Sequence, residues 1–321
     1  MILIVHHWDV DGICSAALIA RELIQEGIEW KNCSPTIGKF ILNERIKKKI
    51  QKAERVIFVD LNMPHVIKGL LKPALFIDHH IQNPIREKDI TYINPIAEGR
   101  SPDEFPSATW VISDWLSKWN LWSVLGAIGD KGGAVFHTPA GQKIREIISR
   151  SDLTESEIFQ LVSMINSSQI LMDQKGVEDA VSALLHFTPI ELLGNDKWIR
   201  NLEVIEKEIE KVFMSINPED ELVEIEFRSQ YNIISRIARL AVWKLGFNGI
   251  IAVNKDFWGE AQLYFRINPD LVKRVDVHGL IRKLVDKNFN AGGKEDVMGV
   301  VCPPERIDEV RSMVKDAFYE K

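Results

Sequence analysis

Hydrophobic and polar positions in the first half of the chain follow two alternating patterns. Met1–Val5 is a short unbroken apolar run, and Val56–Asp60 (VIFVD) and Ala74–Asp78 (ALFID) repeat that texture, each closing on a carboxylate. From Gly12 to Glu26 the apolar residues Ile13, Ala16, Ala17, Ala20, Leu23 and Ile24 recur at the spacing of one buried helix face, and Gly27 follows as a C′ glycine. Continuous apolar strands separated by helical stretches predict a parallel sheet covered by helices on both faces. Residues 107–193 are mostly helical in pattern. Trp198, Leu202, Ile205, Ile209 and Phe213 then mark one face of a further helix, with Glu203 and Lys207 as an i, i+4 pair beside it. Beyond residue 215 the texture changes. Leu222–Phe227 and Ile250–Val253 read as strands, and Gln262–Ile267 alternates as a half-buried strand does. Two amphipathic helices, over Val277–Asn288 and Pro304–Tyr319, enclose the pair Gly292-Gly293. The pattern predicts an α/β domain over residues 1–195, a connector helix over 196–215 and a smaller α/β domain over 216–321.

Composition narrows the class. A length of 321 residues suits two domains, and 45% hydrophobic with 27% charged residues excludes a disordered or fibrous chain. No apolar run approaches the ~20 residues that span a bilayer. The opening MILIV runs directly into His6-His7-Trp8-Asp9 without a basic segment or a cleavage site, so it reads as a buried strand rather than a signal peptide. Cys14, Cys33 and Cys302 are scattered and odd in number, which excludes a disulfide framework or a paired-cysteine zinc site and points to a reducing cytoplasm. The formal net charge of −6 argues against duplex binding by charge alone. Any nucleic-acid contact must rest on a local site.

That site is predictable in outline. In a parallel sheet, ligands gather beyond the carboxyl ends of the strands, where His7-Trp8-Asp9, Asp60 and Asp78-His79-His80 fall. In His7-x-Asp9-x-Asp11-Gly12, alternate residues of an extended segment project to one side. One imidazole and two carboxylates then share a space, and the carboxylates repel unless a cation neutralises them; such N/O sets suit Mn²⁺, Zn²⁺ or Mg²⁺. Asp130, in Gly126-Ala-Ile-Gly-Asp-Lys-Gly, adds a fourth segment with an Asp. Trp8, flanked by these groups, is expected at the rim, where its ring would stack on a base or ribose. Trp110, Trp115, Trp119 and Trp122 fall at helical spacings and fit core packing instead. Gly293-Lys294 is followed by Glu295, so the Walker phosphate loop is absent, as are GxGxxG and HExxH.

The order HxDxDG, D, DHH, GxxGD resembles the DHH phosphoesterase superfamily, and the carboxy-terminal part resembles its DHH-associated domain. The short HxDxDG spacing is similar to archaeal relatives of the single-strand exonuclease RecJ, whereas many bacterial members read H-x₃-D-x-D. His6 and His7 both stand as the first ligand, with His7 preferred because it stands two before Asp9. The resemblance implies two divalent cations bridged by Asp60, with His7 and Asp9 completing one ligand set and Asp11, His79 and Asp130 the other. It implies that Asp78 orients a neighbouring histidine and that His80 faces the phosphate as electrophile or acid. Histidine beside carboxylate favours Mn²⁺ over Mg²⁺. In the tail, Asn290-Ala-Gly292-Gly293-Lys294 stands where the family reads GGGH, and Arg266 matches the family's arginine on a preceding strand; Lys294 replaces the histidine. Ser107-Ala108 resembles the small-residue segment that lines the family's cleft, and Ser107 equally fits a helix N-cap. The activity implied is hydrolysis of terminal phosphodiesters in single-stranded DNA or RNA, 3′→5′, releasing nucleoside monophosphates, with the small domain gripping the strand. Implied partners are single-stranded nucleic acid and a replication or repair helicase or replisome component, with self-association open and no membrane. The rivals are an oligoribonuclease or 3′-phosphoadenosine-5′-phosphate phosphatase, and a non-catalytic scaffold of the replicative helicase. The intact set of His and Asp speaks against the scaffold.

Overall fold

The computed structural model describes residues 1–61, 63, 72–214 and 221–319. The chain forms two compact units, Met1–Gln169 with Asp173–Leu202, and Ile170–Met172 with Glu203–Lys321.

The first unit opens β1 (Ile2–His6), α1 (Val10–Gln25), β2 (Trp30–Cys33), α2 (Glu44–Lys52), β3 (Arg55–Val59), β4 (Ala74–Ile77) and β5 (Ile90–Ile93). Among the described residues these five strands make one all-parallel sheet in the order β2-β1-β3-β4-β5. Leu3, Val5, Val56 and Phe58 pack on one face with Ile46 and Ile50 of α2, while α1 contacts β1 and β3 from the other. The predicted two-sided cover is present. Three further helices complete the packing around α1: α3 (Ala108–Leu116), α4 (Leu121–Lys131) and, after α5 (Gly141–Ser149) and α6 (Glu155–Ile170), α7 (Gln174–His186). Enclosed by the sheet, α3, α4 and α7, α1 buries nearly every residue from Val10 to Ala20 rather than the single face its periodicity suggests. A short α8 (Pro189–Leu193) leads to α9 (Asp196–Phe213). That helix occupies the span read as a connector; the two units divide within it, after Leu202, and residue 215 lies outside the described residues.

Register decides where the chemistry falls. His6 of β1 pairs with Val59 of β3, and Val59 pairs with Ile77 of β4, so the three strands end level. The ladder runs one residue further: His7 N donates to Val59 O at 3.3 Å and Asp60 N to Ile77 O at 3.0 Å. Strands lie about 4.8 Å apart. The residues following β1, β3 and β4 therefore emerge side by side, next to the point where strand order reverses between β1 and β3.

The second unit contains β6 (Leu222–Phe227), α10 (Ile234–Arg239) running into a π-helical turn (Leu240–Lys244), β7 (Gly249–Phe257), β8 (Glu260–Ile267), α11 (Val277–Asp286), β9 (Asn290–Lys294), β10 (Val297–Cys302) and α12 (Ile307–Tyr319). Its sheet has the order β6-β7-β8-β10-β9, with β6 parallel to β7 and the other pairs antiparallel. Phe265, Ile267, Met298 and Val300 on one face pack with Leu280, Leu284, Val310 and Val314 of α11 and α12. The glycine pair, expected near a helix, lies in the edge strand β9. A Cβ on Gly293 would collide with the Val297 carbonyl, so glycine is required for the close β9–β10 hairpin.

Candidate metal centre

His7 leaves β1 with Nδ1 2.8 Å from Asp9 Oδ2 and 3.4 Å from Asp60 Oδ2. Across Asp60, His79 Nε2 lies 2.9 Å from Asp130 Oδ2, 3.4 Å from Asp60 Oδ1 and 3.8 Å from Asp11 Oδ2. Two of the His/Asp clusters are His7, Asp9 and Asp60 on one side and Asp11, His79 and Asp130 on the other, and Asp60 turns one oxygen to each. His6 is elsewhere. It is fully buried, its Nδ1 hydrogen-bonds the His7 carbonyl at 2.6 Å, and its Nε2 pairs with Asn32 Nδ2 at 3.2 Å. Burial pushes its pKa down to about 4, which keeps it neutral. Of the two histidines, His7 is the one that meets the carboxylates.

Local structure explains each placement. Asp9 caps α1, accepting from Gly12 N through Oδ1 at 3.0 Å and leaving Oδ2 for His7. Asp11, inside the first turn, is held by the start of α3: Ala108 N donates to Oδ2 at 2.6 Å and Thr109 N to Oδ1 at 3.0 Å. Helix starts favour negative charge. Asp60 sits at φ 57°, a left-handed conformation that Asp tolerates better than most residues and that turns its carboxylate inward. Gly126 and Gly129 bring α4 against α1; a Cβ at Gly126 would overlap Asp11 Oδ1 and the Thr109 side chain. That close approach carries Asp130, in the last turn of α4, to His79.

Asp78 belongs to a third group of close ligand atoms, with Asp60, His79 and His80, but its oxygens are engaged within its own segment. Its Oδ1 accepts from His79 N at 2.8 Å and pairs with His80 Nδ1 at 2.6 Å, while Oδ2 accepts from Gln82 Nε2 at 2.9 Å. With Nδ1 occupied, His80 Nε2 has no partner among the described residues, and its side chain is 37% exposed. Asn94, one residue beyond β5, donates to the His80 carbonyl at 2.9 Å and to the Tyr92 hydroxyl at 2.8 Å, and Gln82 also donates to Tyr92. Asn166 of α6 accepts from Val10 N at 2.8 Å. The sequence reading did not single out Asn94, Gln82, Tyr92 or Asn166. Asn94 carried a usable signal, since it closes a strand with a polar side chain as Asp60 and Asp78 do.

The donor set fits divalent cations. His7 Nδ1, Asp60 Oδ2 and His79 Nε2 are buried and, despite their short separations, make no directed hydrogen bond. Lone pairs that converge without pairing are what a cation would use. Charge gives the same answer. Burial, then the charge of Asp60, pushes the Asp11 carboxyl up to about 7, and burial, then Asp11, pushes Asp130 up to about 6. Burial and Asp9 also hold Asp60 above its ordinary value. Burial would lower His7 and His79, but the surrounding carboxylates outweigh it and raise both. The protein alone thus holds protons where cations would balance the charge.

Trp8 and Arg266 are placed differently from expectation, and Ser107 takes the cap position open to it. Trp8 is 5% exposed, not at the rim; it packs beneath His7 and Phe40. Ser107 is fully buried and caps α3, accepting from Trp110 N at 3.1 Å, so it serves the helix that holds Asp11 rather than a substrate. Ser107→Ala is expected to lower Tm by about 2–4 °C, the loss of one cap worth ~1 kcal/mol, with KM unchanged; a raised KM at constant Tm would return Ser107 to the substrate. Arg266 is not a free fork: its side chain is 8% exposed, Nη1 pairs with Asp296 Oδ2 at 2.6 Å, and its guanidinium lies 4.7 Å from the Trp243 ring centre. Nearby in the second unit, the side chains of Arg236 and Arg239 of α10 have no hydrogen bond or ion pair among the described residues. The sequence reading missed both. Gly292 and Lys294 are exposed on β9, with Gly292 opposite Gly299 and Lys294 opposite Val297.

Residues 1–123 match the model of the DHH family, N-terminal domain. No curated protein matches the chain. Among solved structures it is similar to exonuclease RecJ bound to manganese, at 15% identity and TM-score 0.67, covering 100% of this chain and 90% of that one. It is similar to RecJ of Thermus thermophilus in complex with Mn²⁺, at 15% identity and TM-score 0.67, covering 98% of this chain and 51% of that one. It is also similar to the DHH domain of a member of the s1p family of ribosomal proteins, at 15% identity and TM-score 0.71, covering 99% and 86%. Motif order, register and these likenesses agree: residues 1–123 carry the N-terminal domain of the DHH family, and the chain has a RecJ-like fold.

Proposed function

We propose that this protein is a metal-dependent phosphodiesterase that removes terminal nucleotides from single-stranded DNA or RNA, 3′→5′, releasing nucleoside monophosphates. The observation that carries the reading is the pair of His/Asp clusters sharing Asp60, with His80 beside them and its Nδ1 held by Asp78. His7, Asp9 and Asp60 would hold one divalent cation and Asp11, Asp60, His79 and Asp130 the other, Mn²⁺ before Mg²⁺. Such a pair, when bound, activates water and neutralises charge on the phosphoryl oxygens. The chain's own groups supply the rest. Asp78 accepts from His80 Nδ1 and, against the opposing effect of burial, raises the His80 pKa, so the protonated imidazolium would offer Nε2–H to polarise a phosphoryl oxygen or to donate a proton to the leaving group. In the second unit, Lys294 with Arg236 and Arg239 would grip backbone phosphates, Arg266 being already paired, and the edge strand β9, which holds Gly292 and Gly293, leaves alternate backbone N–H groups open to approach. A replication or repair helicase as partner belongs to the same reading.

The test is a time course on 5′- and 3′-labelled single strands and on a dinucleotide, with Mn²⁺, Mg²⁺ or chelator. The expected result is Mn²⁺-dependent release of mononucleotides from the 3′ end of long strands. A strong preference for the dinucleotide or for 3′-phosphoadenosine-5′-phosphate would replace this reading with its enzymatic rival, and cation binding without any hydrolysis would favour the scaffold. Lys294→Ala is expected to raise KM several-fold with kcat unchanged; loss of kcat at constant KM would remove Lys294 from the grip.

A further inference from the structure

The aromatic residue at the edge of the metal centre is not the one its motif carries. With Trp8 buried, the outward face belongs to Phe40, whose ring lies 5.6 Å from the His7 ring at 18° between planes and 4.9 Å from Trp8. Phe40 is 44% exposed and Ile41 53% exposed. The loop that carries them is fixed on both sides. Ile37 N donates to Gln174 Oε1 of α7 at 3.1 Å, and Lys39 N closes a turn onto the Thr36 carbonyl at 2.8 Å. Beyond them Leu42 enters the core and Asn43 caps α2. Two large apolar side chains are therefore held at the surface by an anchored segment, one of them stacked in register with a candidate ligand.

We propose that Phe40 is the stacking platform for the base of the nucleotide whose phosphate is cleaved. This inference rests on the phosphodiesterase reading and adds the residue that positions its substrate. A phosphate at the clusters lies on one side of His7 and the exposed Phe40 ring on the other, and a nucleotide's sugar spans such a step between its phosphate and its base. Stacking on an aromatic ring accepts every base, so Phe40 confers no sequence code; it favours purines, whose larger faces overlap more of the ring. Trp8, wedged beneath both rings, keeps the platform in place.

The test uses strands whose terminal linkage is non-hydrolysable and whose terminal nucleotide is 2-aminopurine or abasic, bound in Mn²⁺ to wild type, Phe40→Tyr, Phe40→Leu and Phe40→Ala. Wild type and Phe40→Tyr are expected to quench 2-aminopurine emission on binding. Phe40→Leu and Phe40→Ala should lose that quenching and about tenfold in affinity for the strand with a terminal base, with no loss for the abasic strand. Mn²⁺ titration should give the same affinity for all four proteins, which shows that the clusters are intact. If Phe40→Leu quenches and binds as wild type does, Phe40 is an apolar cover and the proposal falls alone. If wild type binds Mn²⁺ but no strand, the proposal falls together with the phosphodiesterase reading.

Discussion

Asp60→Asn is expected to lower turnover by about 10³-fold or more, since one carboxylate serves both clusters and its loss weakens both cation sites together. Asparagine is the informative substitution. It keeps the size of the side chain and tolerates the left-handed backbone at φ 57°, where alanine would add strain. The metal-free protein should respond in the opposite sense. Asp60 is held above its ordinary pKa by burial and by Asp9, so its ionised form is disfavoured in the fold, and a neutral isostere removes that repulsion. In chelator, Asp60→Asn should therefore melt no lower than wild type. A variant that is inactive because it is unfolded would fail that comparison, and one retaining near-native turnover would contradict the assignment of Asp60.

The second large effect is on stability in the presence of Mn²⁺. Cations that bind only the folded state at about 100 times Kd contribute about 2.7 kcal/mol, roughly 5–10 °C in Tm for a unit of this size. The dependence on pH should reverse with the metal. In the metal-free centre Asp11 is pushed up to about 7, Asp130 to about 6, and His7 and His79 are raised as well. For an acid or a base alike, a raised pKa means that the fold takes up protons, so metal-free stability falls as pH rises from 6 to 8. Cation binding must displace those protons, so Mn²⁺ affinity weakens as pH falls over the same interval, by up to about tenfold per pH unit for each proton displaced. Melting curves at pH 6 and 8, with chelator and with Mn²⁺, should show the metal-induced rise to be larger at pH 8. A rise equal at both values would mean that these groups do not meet the cations.

What could be read from the residues, and what could not, follows from how local each signal was. β1, β3 and β4 are continuous apolar runs, and their terminal Asp and His residues identify the sheet edge that the register then aligns. β2 (WKNC) and β5 (ITYI) are short and partly exposed, with no clean period, and only pairing in the sheet makes them strands. Asn290–Lys294 reads as a glycine loop because glycine disfavours strands; its pairing with β10 overrides that. Trp8 was misplaced because flanking polar residues suggest a rim, whereas its size is accommodated beneath Phe40, a lone aromatic in a loop with no motif around it. Arg236 and Arg239 are ordinary helix residues until the fold leaves them without an ion pair among the described residues. The metal centre was legible because most of its groups follow a strand. Its supports were not, because the α3 amides that hold Asp11 and the glycines that admit α4 act through backbone and absence of side chain.

Anomalous diffraction at the manganese edge, from crystals grown in Mn²⁺, tests the central claim most directly. Two peaks about 3.5–4 Å apart are predicted, one against His7 and Asp9, the other against Asp11, His79 and Asp130, with Asp60 touching both. No peak among these side chains, or a single ion that leaves Asp60 unbound, would contradict it.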